Sequence, residues 1–338
     1  MGTSVLEESG TLNTRLEGIK EHTYWVMPLD LVAQAGWYRL FPFSLFTMRA
    51  LSIMWGLVAL VAWFIIVHRL SGNINTAVLA FALIAVDYVF MTQASIGRMD
   101  MMCAALGFLA LATYLALHER RLMWAVIASQ SLIVLSGLTH PNGILPLFAV
   151  AFTAVFCDLR RLRLRHAAAA SVPYVVGALA WGAYVLQSRS NFETQFAHNA
   201  GNRFPGLAHP LTAVSLEVTE KYMSLYGFAP HVGGPARLKI LILVVYFGAV
   251  VTAVIVPAIR RRKGYQVLLV LTLISIVAET IFNHKIGFYL VHVVPFFAAT
   301  VAVVAQWCWQ QRPGYRWLCV SIIACLVLLE TGAVLYRV

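Results

Sequence analysis

The chain has 338 residues, 60% of them hydrophobic and 12% charged, with a formal net charge of +11. An ordinary soluble domain is about 25% charged, so this much apolar side chain excludes a water-soluble fold. The basic residues fall in short clusters between apolar runs rather than along one face, which excludes a nucleic-acid surface and points to orientation in a bilayer.

Residues 1–44 open with a polar stretch, Met1 to Lys20, that has neither the basic start nor the apolar centre of a signal peptide. Pro28 to Phe43 is richer in apolar and aromatic side chains and reads as a juxtamembrane helix lying along the interface. Crossing the hydrocarbon takes about 20 apolar residues. Ten runs qualify, over 45–67, 76–95, 101–117, 122–139, 143–157, 168–187, 238–258, 266–282, 288–308 and 316–336. None shows a strand period, so the expected fold is an all-α, polytopic membrane helix bundle. It divides into a six-helix part (45–187), a long loop (188–237) and a four-helix part (238–338). The five cysteines fall inside or at the ends of these helices and imply no disulfide framework.

Alternation of the runs puts most of the cationic linkers on one side. Thirteen Lys and Arg gather there: Arg69; Arg120 and Arg121; Arg160, Arg161, Arg163 and Arg165; Arg260, Arg261, Arg262 and Lys263; Arg312 and Arg316. The short linkers opposite hold Arg98 and Lys285 alone. The first side is therefore cytoplasmic and the second exterior, which places residues 1–44, loop 188–237 and the C-terminus outside. An exterior N-terminal segment has to be translocated, and the expectation is that one more helix precedes Met1 in the natural protein.

Polar groups near membrane depth cost free energy and call for a reason. Three exterior turns carry them. In Gly97-Arg98-Met99-Asp100 a cation and a carboxylate sit two residues apart at a helix start, where the acid serves either the helix dipole or a substrate. Thr139-His140-Pro141-Asn142-Gly143 is a tight turn in which His140 and Asn142 offer hydrogen bonds. His284-Lys285, Tyr289 and His292 share one helical face and suit a phosphate; the alternative for Lys285 is a snorkelling interfacial cation. Loop 188–237 is long enough to cap a site, but its His and Glu residues lack metal-ligand spacing and read mostly as solvated surface. Of three intramembrane acids, Asp87 is deep and reads as a hydrogen bond within the bundle, whereas Glu279 and Glu330 are expected to reach water. No inverted repeat or pair of broken helices marks a secondary transporter.

At these turns the sequence resembles membrane glycosyltransferases of the GT-C class, in the superfamily of dolichyl-phosphate-mannose protein mannosyltransferases and aminoarabinose lipid A transferases. Tyr24 to Leu29, Trp37 to Phe41 and Ser44 to Arg49 are similar to the family's Pro-rich approach to its second helix. Gly97 to Asp100 resembles its Arg/Asp turn, Leu138 to Gly143 its Thr-Lys-Gly turn with His140 in place of Lys, and Lys285 to Pro295 its Lys, Tyr-Leu and Pro segment. The resemblance implies transfer of a sugar from a polyprenyl-phosphate donor to a lipid or protein acceptor, on the exterior face of a bacterial inner or plasma membrane.

In that reading Arg98, Lys285 and Tyr289 stand on the phosphate side, with His140, Asn142 and His292 as further substrate-binding groups. An exterior carboxylate activates the acceptor hydroxyl. The family places an Asp-Glu pair for this just after its first helix; here the pair either lies upstream of Met1 or is replaced by Glu7 and Glu8. Asp100 is a second acidic candidate, for positioning. Membrane lipids are partners and nucleic acid is not. No metal site or other cofactor is signalled, and a divalent cation is left open. The alternatives are a transporter or flippase of lipid-linked sugars and an inactive truncated homologue.

Overall fold

The computed structural model describes residues 22–24, 26–200, 209–228, 234–282 and 287–335. Among them are helices and no strands. Helix α1 (Pro28–Leu40) starts on a proline whose fixed φ suits the first turn, and none of its residues is buried. It is tethered where the Trp37 indole N–H donates to the Thr47 carbonyl at 2.8 Å. Helix α2 (Leu45–Ser71) opens with a capping box between Ser44 and Thr47 and closes on Gly72 at φ +64°.

Residues 76–95, expected as one run, form two helices, α3 (Ile74–Val86) and α4 (Tyr88–Ser95), bent by 62°. Asp87 makes the break. Its extended backbone leaves the helix, and its carboxylate accepts the Phe90 N–H at 2.8 Å and so starts the next one. The expectation of a single run over 76–95 is corrected at this point.

Helix α5 (Met99–Leu117) and α6 (Leu122–Thr139) follow; a tight Pro141–Gly143 turn leads into α7 (Ile144–Asp158), and α8 (Leu164–Val185) carries the chain back. The long loop contains α9 (Arg189–Ala200), α10 (Pro210–Leu216), a widened π-type segment Glu217–Phe228 and a 3₁₀ segment Gly234–Lys239. Then come α11 (Ile240–Ile255), a short α12 (Pro257–Arg260), α13 (Lys263–Phe282), a 3₁₀ segment Gly287–His292, α14 (Val294–Trp309) and α15 (Pro313–Leu335). Among the described residues nine helical segments are long and apolar enough to cross a membrane, and ten with the bent pair counted as one span. This agrees with the expected number, and the chain is a multi-pass membrane protein.

The core runs along α14, most of which is buried. Trp63 of α2 stands edge-on to Phe296 at 4.6 Å and to Phe108 of α5 at 5.2 Å, which joins three helices through one fully buried indole. Helices α8 and α15 turn large apolar side chains outward, Leu179 and Leu328 among them, as lipid-facing helices do. At the cationic end Asp158 accepts from the Tyr114 hydroxyl, lies 2.7 Å from His118 Nδ1 and pairs with Arg161. Arg161 also donates to the Glu119 carbonyl. One carboxylate thus clasps the α5–α6 and α7–α8 connections.

Candidate functional site

Four segments converge at the opposite end of the bundle. The first is the Gly97 turn. Gly97 has φ +74°, and a Cβ there would meet Met48 Cγ at 2.8 Å, so conformation and space both require glycine. The turn leaves Arg98 extended as the N-cap of α5 and Asp100 in its first helical turn. Arg98 Nε donates to Asp100 Oδ2 at 2.8 Å, and the guanidinium lies 4.3 Å over the Phe288 ring. Asp100 is fully buried, and its Oδ1 has no hydrogen-bond partner. Complementing a helix dipole requires neither burial nor an arginine partner, so that explanation alone is insufficient.

The second segment is α1. Asp30, Gln34 and Tyr38 line a narrow crevice of about 10 Å³ together with Ser52, Trp55 and Arg98. The Tyr38 hydroxyl and the Trp55 indole N–H are buried without a partner. Asp30 accepts from Gln34 Nε2 at 2.7 Å. Burial raises its carboxyl to about 6, with the Gln34 hydrogen bond opposing and the charge of Asp100 adding. Sequence reasoning missed Asp30; the available signal was a lone acid in the first turn of an exterior helix.

The third is the His140 turn. His140 Nδ1 accepts the Asn142 N–H at 3.1 Å, which puts the hydrogen of a neutral imidazole on Nε2. The ring lies 5.4 Å from that of Tyr289. Asn142 is buried, and its Nδ2 has no partner. Gly143 packs against α6 so closely that a Cβ would fall 2.2 Å from the Gly137 nitrogen. Backbone approach therefore seats this turn.

The fourth is Gly287–His292, expected as helix face and found as 3₁₀ winding. Pro295 has no N–H to donate to Val291, so the ladder of α14 does not extend back through this segment. Because 3₁₀ residues i and i+3 eclipse, Tyr289 and His292 still share one side. Both are buried, and His292 Nε2 is without a partner. Asp100, His140 and Lys221 all lie close enough to His292 for their charges to act on it. His284, Lys285, Glu7 and Glu8 lie outside the described residues.

Two expectations are corrected here. Glu217, one of the loop acids read as solvated, is buried together with Lys221, and Glu279 of α13, expected to reach water, is fully buried. Lys221 Nζ sits 2.9 Å from Glu217 Oε1 and 2.9 Å from Glu279 Oε2. Burial disfavours the ammonium, but the two carboxylates outweigh that and hold it protonated. The loop therefore folds onto the bundle end and pins there through a buried ion triad. Glu330 is likewise buried instead of reaching water: its Oε2 accepts the Tyr88 N–H, and its Oε1 lies 3.1 Å from the Tyr246 hydroxyl. Among the described residues no group of three or more His, Cys, Asp and Glu is arranged to hold a metal.

Beneath His292 a narrow, mostly apolar cleft of about 20 Å³ lies between helices, walled by Gly107, Leu111, Pro146, Ala149 and Phe296. The end of the bundle thus combines buried acids, cations and unpartnered polar atoms with an apolar slot beside them.

No protein-family model and no curated protein matches the sequence. Among solved structures, the apo oligosaccharyltransferase of Archaeoglobus fulgidus superposes with TM-score 0.59 at 13% identity, over 92% of this chain and 47% of that one. The same organism's oligosaccharyltransferase tethered to an acceptor peptide with the NVT sequon gives TM-score 0.58 at 13% identity, covering 92% and 46%. Its oligosaccharyltransferase AglB in complex with an inhibitory peptide and a dolichol-phosphate gives 0.58 at 14%, covering 92% and 47%. The chain spans about half the length of these structures. At such identities the likeness is one of fold: the chain shares with them an all-α, GT-C type membrane bundle.

Proposed function

We propose that this protein is a membrane glycosyltransferase that moves a sugar from a polyprenyl-phosphate donor to a lipid or protein acceptor, at the bundle end carrying Arg98 and on the exterior face of the plasma membrane. The observation that carries the reading is the pairing of Asp30 and Asp100. One is a half-buried acid with a raised carboxyl; the other is a fully buried carboxylate held by Arg98 with one oxygen unpartnered. The fold supports it, because solved structures that share it include an oligosaccharyltransferase holding a dolichol-phosphate and one holding an acceptor peptide.

In this reaction the acceptor hydroxyl loses its proton to a carboxylate and its oxygen attacks the anomeric carbon. The bond from that carbon to the lipid phosphate breaks, and the phosphate leaves with the electron pair. Asp30, with a carboxyl near 6, suits the base, since an effective base sits close to the working pH. Glu7 and Glu8 remain alternatives for it. Arg98 offsets charge developing on the leaving phosphate, and Lys285 and Tyr289 are assigned to the same phosphate side by the sequence resemblance. The Asn142 amide, whose Nδ2 is buried without a partner, is a donor for sugar hydroxyls or phosphate oxygens, His140 holds the turn that presents it, and Asp100 positions Arg98.

The test is transfer of radiolabelled sugar from polyprenyl-phosphate donors by the protein in proteoliposomes. Asp30→Asn and Asp100→Asn are expected to lower kcat by about 10²-fold or more; unchanged transfer in both would overturn the assignment. A second reading, transport of a lipid-linked sugar, draws on the break at Asp87 and the buried carboxyl Glu330 beside it. It predicts movement of the donor across the bilayer without transfer in the same vesicles.

A further inference from the structure

The acids at membrane depth form a second constellation, outside the site described above. Asp87 and Glu330 are both buried, as are Tyr246 of α11 and Tyr88 of α4. Asp87 Oδ1 accepts the Phe90 N–H and Glu330 Oε2 accepts the Tyr88 N–H, both peptides of the helix that begins at the break. The remaining oxygens turn to one hydroxyl: Tyr246 Oη lies 2.7 Å from Asp87 Oδ2 and 3.1 Å from Glu330 Oε1. The two carboxyls also reach each other.

These contacts need more hydrogens than the tyrosine supplies. A phenol has one hydrogen to donate, so it satisfies one of the two carboxylates. The other contact is a hydrogen bond only when a carboxyl carries a proton of its own. Two bare carboxylates in a space that excludes water would repel strongly.

A further observation lies outside this ring of contacts. Tyr226, from the loop segment Glu217–Phe228, is fully buried and edge-on to Tyr88 at 5.6 Å, and its hydroxyl has no partner. The charges of Asp87 and Glu330 act on it. A buried hydroxyl is therefore held beside the pair. The other ionisable groups facing the cluster are Tyr88, whose hydroxyl donates to the Leu225 carbonyl, and Lys239, whose ammonium lies 5.4 Å from the Tyr88 ring.

We infer that Asp87 and Glu330 form a binding site for a single proton, shared through Tyr246, that fastens the break between α3 and α4 to α11 and α15. Tyr88 carries the fastening onward to the loop segment that holds Lys221. Loss of the proton leaves two buried anions on either side of one phenol and drives α15 away from the break. The pair is a proton-sensitive clasp in the membrane part of the molecule, and it stands whether or not the chain transfers sugar.

Infrared spectroscopy of the protein in lipid nanodiscs tests it, through the C=O stretch of protonated carboxyls in protein labelled with carbon-13 aspartate or glutamate. One buried carboxyl band is expected at neutral pH, absent from Asp87→Asn and from Glu330→Gln, since either amide replaces the shared proton. No band in the wild type would mean two carboxylates, and a band surviving in both single variants would mean two protons; either overturns the site. A band present in potassium and lost in sodium would mean that a metal cation occupies the site, which also overturns it.

Stability provides an independent readout if a variant folds poorly. The folded wild type keeps a proton that the unfolded chain has released at neutral pH, so its unfolding constant should rise about tenfold per pH unit more steeply than that of Asp87→Asn. Equal slopes would overturn the proposal.

Discussion

Arg98 and Asp100 stood out in the sequence as a charge pair between two apolar runs, and the structure places them together at 2.8 Å. Asp30 did not stand out. It opens an exposed helix whose composition reads as interfacial, and only folding brings it beside Arg98 in the same crevice. Lys221 was hidden for another reason: Glu217 and Lys221 at i, i+4 look like an ordinary solvated helix pair, and the partner that buries them, Glu279, is 58 residues away. Two predictions belong at this scale. If Asp30 is the base, transfer should rise with pH through about 6, because its proton must leave before it can accept another, and Asp30→Glu should move that limb while Asp30→Asn removes it. A rate flat from pH 5 to pH 8 would assign the base elsewhere. Gly97→Ala should destabilise the protein by about 1–2 kcal/mol for the left-handed conformation alone, with more from the encounter with Met48. Thermal unfolding in detergent measures it.

At the scale of elements, spans were legible and their irregularities were not. Hydropathy records an apolar run, and it averages over the single residue, Asp87, that breaks one. The 3₁₀ lead into α14 escaped for a similar reason, since i, i+3 and i, i+4 spacing serve an α-helix and a 3₁₀ turn almost alike. The loop segment Glu217–Phe228 is the element whose role changed most. Its ion triad makes it a fixed part of the bundle end, and this has an energetic signature. Lys221→Met leaves Glu217 and Glu279 buried without their cation and should cost about 3–5 kcal/mol. Adding Glu217→Gln and Glu279→Gln should restore most of that, because the penalty lies in the unpaired charges. Denaturant titration of the single and triple variants decides it: equal losses in both would mean that the segment contributes by shape alone.

For the whole molecule, the sequence carried one asymmetry that no contact reports, namely thirteen cations at one end of the bundle against Arg98 and Lys285 in the short linkers of the other. Cationic linkers resist translocation, so the positive-inside rule assigns them to the cytoplasmic side, and the Asp158 clasp ties two of them together. The described groups of the candidate site lie at the other end, and a lipid-phosphate donor displayed outside the cell can reach them only if that end faces out. The orientation is therefore a condition of the proposed reaction, and it can be measured without a substrate. Cysteines introduced at Gln187, beyond α8, and at Gln311, between α14 and α15, mark the two ends. In right-side-out vesicles a membrane-impermeant maleimide should label Gln187→Cys and leave Gln311→Cys unmodified until the membrane is opened, with the wild-type cysteines as the background. The reverse pattern would put the Asp30 crevice in the cytoplasm. Transfer from an exterior donor would then be impossible, while the proton clasp at Asp87 and Glu330, which does not depend on which side is out, would be untouched.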